Sequence, residues 1–151
     1  MSETIGMYRF SKTSKARLAT CHEDLQKIMN LAIQITDVDF GIAEGHRTLS
    51  RQKMLFDQDK TQIDGITRKG KHNYTPSLAV DIYPWVGGQA KWDNEHLSYL
   101  SGVIHACAEI LLDAGETSHR IRWGGNWDMD GVILLDQSFD DRPHFELVNA
   151  H

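Results

Sequence analysis

Cysteine and proline are scarce in this chain, and positive charge does not dominate it. Its 151 residues include two cysteines, Cys21 and Cys107. They stand far apart and form no CxxC, which leaves no disulfide framework and no cysteine-rich metal site to build. Both fall beside apolar residues on expected helices and read as small buried hydrophobes. No apolar run approaches the roughly 20 residues needed to span a bilayer, so membrane insertion is not expected. The segment Met1 to Phe10 has no basic start followed by an apolar stretch, and so no signal peptide is expected either. Lysine and arginine total 16 against 21 acids, a formal charge of −5. That balance argues against a nucleic-acid partner, which needs a basic face to displace counterions. There is no repeat, low-complexity tract or Pro/Ser-rich linker. With 40% hydrophobic and 25% charged residues, the remainder is an ordinary globular composition, and the length suits one domain covering 1–151.

Periodicity gives the elements. Thr20 and Glu23 have capping-box spacing, and Leu25, Ile28, Met29, Ala32 and Ile35 follow one helical stripe. A strand is expected over Val38 to Ala43, then a short helix from Leu49 to Asp57. Asp57 to Lys71 is polar and punctuated by Gly65 and Gly70, as in a loop. Leu78 to Tyr83 alternates, with Val80 and Ile82 on one face and Asp81 on the other. A long helix is expected over Asn94 to Asp113, stopped by Gly115. Ile121 to Gly124 and His144 to Val148 complete the strands, with His144 and Glu146 sharing a face. The pattern predicts an α+β fold, a mostly antiparallel sheet packed against helices, with Asp81 and His144 on its open face.

Eight histidines are many for this length, so their settings must select among them. His72 ends the polar loop. Nine residues on, Asp81 sits inside an apolar strand, where a carboxylate needs a partner. His144 opens the last strand, with Asp141 three residues before it. Two histidines and one aspartate can hold zinc and leave a fourth position open, the arrangement of hydrolytic rather than structural sites. By spacing alone, a chance scatter of two histidines and a strand aspartate is the better account.

Four segments occur in order: Gly45-His46-Arg47-Thr48; Lys71-His72-Asn73-Tyr74-Thr75-Pro76-Ser77-Leu78-Ala79-Val80-Asp81-Ile82; Trp123-Gly124-Gly125-Asn126-Trp127; and Asp141-Arg142-Pro143-His144-Phe145. Together they resemble the M15 zinc peptidases, in the phage endolysin branch of L-alanyl-D-glutamate endopeptidases, over about 18–148. The resemblance implies a hedgehog/D,D-peptidase-like fold, Zn2+ held by His72, Asp81 and His144, Asp141 as general base, and Arg47 at the scissile carbonyl or developing oxyanion. It implies a peptidoglycan peptide substrate and cleavage of the stem between L-alanine and D-glutamate. It also implies synthesis in the host cytoplasm with release after membrane permeabilisation, a monomer, and no separate wall-binding domain. Many relatives set the first histidine closer to the aspartate, with a glycine between; here Thr75-Pro76-Ser77 occupies that stretch.

Several assignments stay open. Asp140 competes with Asp141 as base, though the three-residue spacing favours Asp141. Glu146 either orients His144 or is a solvated strand acid. Trp123, Trp127 and the intervening glycines either wall a substrate groove or pack in the core. His46 fits a structural turn contact better than a substrate contact. His22, His96, His105, His119 and His151 read as surface or packing residues, and the acids Asp57, Asp59, Asp64, Asp128 and Asp130 as solvated loops. A D,D-carboxypeptidase of wall remodelling and a non-catalytic zinc-containing wall-binding module are the alternative readings.

Overall fold

The structure is a computed structural model that describes residues 7–65, 68–131 and 141–150. Among these described residues, four α-helices and five strands form an α+β domain: α1 Lys12–Leu18, α2 Glu23–Ile35, β1 Phe40–Glu44, α3 Leu49–Asp57, β2 Ala79–Val86, β3 Gln89–Ala90, α4 Asn94–Asp113, β4 His119–Gly124 and β5 Asp141–Asn149. The sheet runs β1-β2-β5-β4, with β3 paired to the outer end of β2, and every strand pair is antiparallel. The α+β expectation is therefore met. Among the described residues, no helix is long and apolar enough to cross a membrane.

One sheet face makes the core. Phe40, Ile42, Val80, Ile82, Ile121, Trp123, Phe145 and Leu147 are all buried there, against Leu25, Ile28 and Met29 of α2 and Leu97, Leu100 and Ile104 of α4. Strand alternation leaves the other face to Asp81, His144, Glu146 and Arg122. Trp123 stacks on Phe145 at 6.4 Å between ring centroids. It belongs to the core rather than to any groove.

The structure corrects some details. Thr20 does not cap α2. His22 does, its Nδ1 accepting from the Asp24 backbone N–H, while Thr20 Oγ1 accepts from the His46 N–H and so ties the first helical region to the β1 exit. Cys21 precedes α2 and bridges Ser77 instead of lying on a helix; Cys107 is on α4. Both thiols are buried and free, and burial pushes them up to about 12 and about 11, as inert core residues. Ile33, not Ile35, completes the buried stripe of α2; Ile35 ends the helix and is exposed. Strands β2 and β5 extend beyond their expected limits, and α1 and β3 carry no apolar period long enough to read.

Asp24 holds α2 to the start of β4. It is buried, and its Oδ2 accepts from the Ser118 N–H at 3.0 Å and from His119 Nδ1 at 2.7 Å. Burial raises its pKa, but the His119 and Ser118 hydrogen bonds outweigh burial and hold it below its ordinary value. His22 and His119 are thus partly engaged rather than free surface histidines. A carboxylate lowered on folding stabilises the protein above its unfolded pKa, and that contribution is lost as pH falls through the folded value. Asp24→Ala is expected to cost about 1–3 kcal/mol at neutral pH. In denaturant titrations the gap from the parent protein should shrink as the solution is acidified into the carboxylate range. A gap unchanged with pH would show that the charge of Asp24 contributes nothing.

Candidate active site

The open sheet face carries a cluster built by pairing register. Asp81 of β2 lies directly opposite His144 of β5. His72 arrives from outside the sheet, on the 3-10 turn Lys71–Asn73, which Asn73 fixes by accepting from the Gly70 N–H and donating to the Arg47 carbonyl. The longer step from His72 to Asp81 is absorbed by a loop pinned at Ser77, whose N–H donates to the Thr20 carbonyl. The result brings three atoms together: His72 Nε2 to Asp81 Oδ1 is 3.1 Å, His144 Nδ1 to Asp81 Oδ1 is 3.2 Å, and His72 Nε2 to His144 Nδ1 is 3.2 Å.

The outer nitrogens of both imidazoles are spoken for. His72 Nδ1 lies 2.7 Å from the Gly45 carbonyl, which can only accept, so Nδ1 carries a proton and donates it. His144 Nε2 donates to Glu146 Oε1 at 2.8 Å. Each ring thereby turns its other nitrogen, a lone pair when the ring is neutral, toward Asp81 Oδ1. Gly45 must be glycine, because a Cβ there would collide with the Arg17 carbonyl and Thr20 Oγ1.

The acids around the cluster create a demand for positive charge. Burial lowers the His144 pKa, but hydrogen bonds to Asp81 and Glu146, with the charges of Asp81 and Asp141, raise it to about 10. Asp81 is held well below its ordinary value: burial opposes this, and His72 and His144 overcome it. Glu146 is raised by burial but pulled down to about 2 by His144 and Arg122. Asp141 is pushed up to about 6 by burial and by the charge of Asp81. Its Oδ2 lies 3.8 Å from His144 Nδ1, at the rim of the cluster. Asp141 is fixed by pairing with Gly124, where a Cβ would strike the Asp141 carbonyl. Gly124 and Gly125 thus make room for Asp141 and the Trp123 ring rather than for a substrate backbone. Asp140 lies outside the described residues, as does His151.

Arg47 is buried beside the cluster. Its Nη2 donates to Glu44 Oε1 at 2.8 Å and lies 3.4 Å from Asp81 Oδ2; its Nη1 donates to Gln52 Oε1 at 3.0 Å. Glu44 also holds Arg51, and Gln52 reaches on to the Ile63 carbonyl. Glu44, Gln52 and Arg122 are the supporting residues that pattern reading missed. A glutamine that is the one buried residue of its helix and a glutamate ending a strand were weak signals, visible only once their partners are known.

All of these residues open onto one cleft of about 680 Å³, walled by the Gln62–Ile63 segment, Tyr74 and Trp127. Trp127 stands 5.4 Å from the His144 ring, so the two tryptophans divide: Trp127 in the cleft, Trp123 in the core. His46 does not line the cleft; its backbone N–H donates to Thr20. His96 pairs with Asp93 at the start of α4, and His105 donates to the Ser101 carbonyl. Asp57 pairs with Lys53.

Among the described residues, one other cluster has metal-ligand composition: His22, Asp24 and His119. There the donors are already engaged. Asp24 Oδ2 takes the Ser118 N–H as well as His119, and His22 Nδ1 caps α2. It works as a tether, in contrast to the inward-facing atoms of His72, Asp81 and His144.

Known proteins share this arrangement of the chain. It is similar to the L-alanyl-D-glutamate peptidase of Escherichia phage T5, with 26% identity over 144 residues, covering 93% of this chain and 98% of that one. Its fold matches the crystal structure of the Serratia marcescens L-Ala D-Glu endopeptidase ChiX at a TM-score of 0.73 and 25% identity, over 93% of this chain and 90% of that one. Residues 6–148 match the phage L-alanyl-D-glutamate peptidase family. The chain belongs to that family.

Proposed function

We propose that this protein is a zinc-dependent endopeptidase of the M15 type that hydrolyses the L-alanyl-D-glutamate bond of peptidoglycan stems. The reading rests above all on the three inward-facing atoms of His72, Asp81 and His144. Zinc bound tetrahedrally at about 2.0–2.1 Å sets neighbouring ligands about 3.3 Å apart, and the separations here are 3.1, 3.2 and 3.2 Å. The donor set of two imidazoles and one carboxylate suits zinc, and once the rings are neutral the outer hydrogen bonds leave the lone pairs on the inward nitrogens. When bound, zinc supplies Lewis acidity, making water a better nucleophile and polarising the amide carbonyl.

The protein's own groups do the rest. Asp141, at the rim, accepts the proton of the attacking water as it adds to the carbonyl carbon, and returns it to the amine as the C–N bond breaks. Arg47 holds Asp81 through its second oxygen and places a fixed positive charge beside the carbonyl, where negative charge develops. Glu146, itself held by Arg122, orients His144. Family membership supports the bond cleaved, and the setting proposed with it is that of a phage endolysin acting as a monomer on the wall.

Purified peptidoglycan digested by the zinc-loaded protein should yield stems ending in L-alanine and fragments beginning with D-glutamate, and a chelator should stop it. Loss of terminal D-alanine alone would identify a D,D-carboxypeptidase instead. Asp141→Asn should lower kcat by about 10²–10⁴-fold with zinc content unchanged; activity near that of the parent protein would remove Asp141 from the reaction. Glu146→Ala should weaken zinc binding about 10–100-fold, measured by competition with a chromophoric chelator, and unchanged affinity would show that His144 needs no orienting partner.

A further inference from the structure

Arg122 has a feature that orienting Glu146 does not explain. It donates to Glu146 Oε2 through Nη2 at 2.6 Å and Nε at 3.2 Å, yet its side chain remains 34% exposed and lines the cleft. Of the other basic residues that line the cleft, Arg47 and Arg51 pair with Glu44, Lys71 donates to the Leu147 carbonyl and Lys69 stands over the Tyr74 ring, while Lys60 and Arg68 complete the lining. Arg122 also stands 5.7 Å from the Trp127 ring, which in turn faces His144. An aromatic wall and a salt-bridged carboxylate hold the guanidinium in one orientation beside the cluster.

Its place in the sheet gives the orientation meaning. Arg47 lies at the β1 side of Asp81, whereas Arg122 stands on β4 opposite Glu146, and Asp141 of β5 pairs with Gly124, two residues further along β4 and just before Trp127. The amine that leaves must face Asp141 to receive its proton. In an L-alanyl-D-glutamate bond that amine is the α-nitrogen of D-glutamate, and the carbon it is attached to bears a second substituent, the free α-carboxylate of a γ-linked residue. A substrate placed with its carbonyl toward Arg47 and its nitrogen toward Asp141 carries this carboxylate to the Arg122 side.

We propose that Arg122 and Trp127 form a subsite that recognises the α-carboxylate next to the scissile nitrogen, so that the enzyme selects stems with D-glutamate over those in which this carboxylate is an amide. The inference rests on the L-alanyl-D-glutamate reading above. Guanidinium suits the task because its planar donors can serve Glu146 on one edge and a ligand carboxylate on another.

Two synthetic stem peptides test it, identical except that one contains γ-linked D-glutamate and the other D-isoglutamine, cleaved by the full-length zinc-loaded protein. The parent protein should show kcat/KM at least about tenfold higher for the acid, in keeping with one charge-assisted hydrogen bond. Arg122→Gln should erase most of that preference. A role confined to holding Glu146 would lower both rates by the same factor and reduce zinc content, leaving the preference intact, and that result overturns the proposal. Equal cleavage of the two peptides by the parent protein overturns it as well. Cleavage of neither peptide would instead refute the bond assignment on which the subsite depends. Trp127→Phe, which keeps an aromatic wall, should retain the preference; its loss there with Arg122→Gln still selective would assign the recognition to Trp127 alone and overturn the role of Arg122.

Discussion

The register between β2 and β5 governs everything on the open face. Val80 sits opposite Phe145 and Asp81 opposite His144. The side-chain period of a strand is two, so a slip of one residue would turn either Asp81 or His144 into the core and expose Val80 or Phe145 in its place. The buried apolar face therefore fixes the polar one: packing of Val80, Ile82, Phe145 and Leu147 against α2 and α4 holds two of the three cluster residues in place before any ion or substrate arrives. His72 is added by a separate device, a short turn whose backbone and Asn73 are tied to Arg47.

A cluster of acids and imidazoles this well buried is costly unless its charge is compensated. Compensation comes from both ends of the site. Arg47 reaches Asp81 Oδ2 on one side, and Arg122 reaches Glu146 on the other. What is left between them is a compact set of acceptors that raises His144 to about 10 and calls for one more cation. The same pair of arginines gives the cleft two fixed positive poles in a chain of net charge −5, which the proposed mechanism sets at the carbonyl and the nitrogen sides of a peptide bond. Electrostatic preorganisation and ligand orientation are thus carried by the same side chains.

Much of this was legible in the sequence, for identifiable reasons. The α2 and α4 stripes, the short helix α3 and the alternation in β2 and β5 are patterns of burial, and burial decides those elements. Asp81 stood out because a carboxylate flanked by Val80 and Ile82 needs a partner. Other features depended on contacts between distant segments. Thr20 has the residue type of a cap but spends its hydroxyl on His46, so His22 takes its place. Trp123 and Trp127 share one motif, yet the strand ends between them, sending one ring inward and the other into the cleft. Arg122 was invisible as a functional residue because its meaning lies in Glu146, 24 positions away.

The central claim is that His72, Asp81 and His144 hold zinc while a fourth position stays open. X-ray absorption at the zinc edge on protein loaded with one equivalent of metal tests it most directly. The account predicts a four-coordinate first shell of two imidazole nitrogens and two oxygens at about 2.0–2.1 Å, with the histidine signature lost in a His72→Ala, His144→Ala double variant and retained when His22 and His119 are replaced. A shell that persists in the first variant and disappears in the second would put the metal at the other histidine cluster and contradict the account.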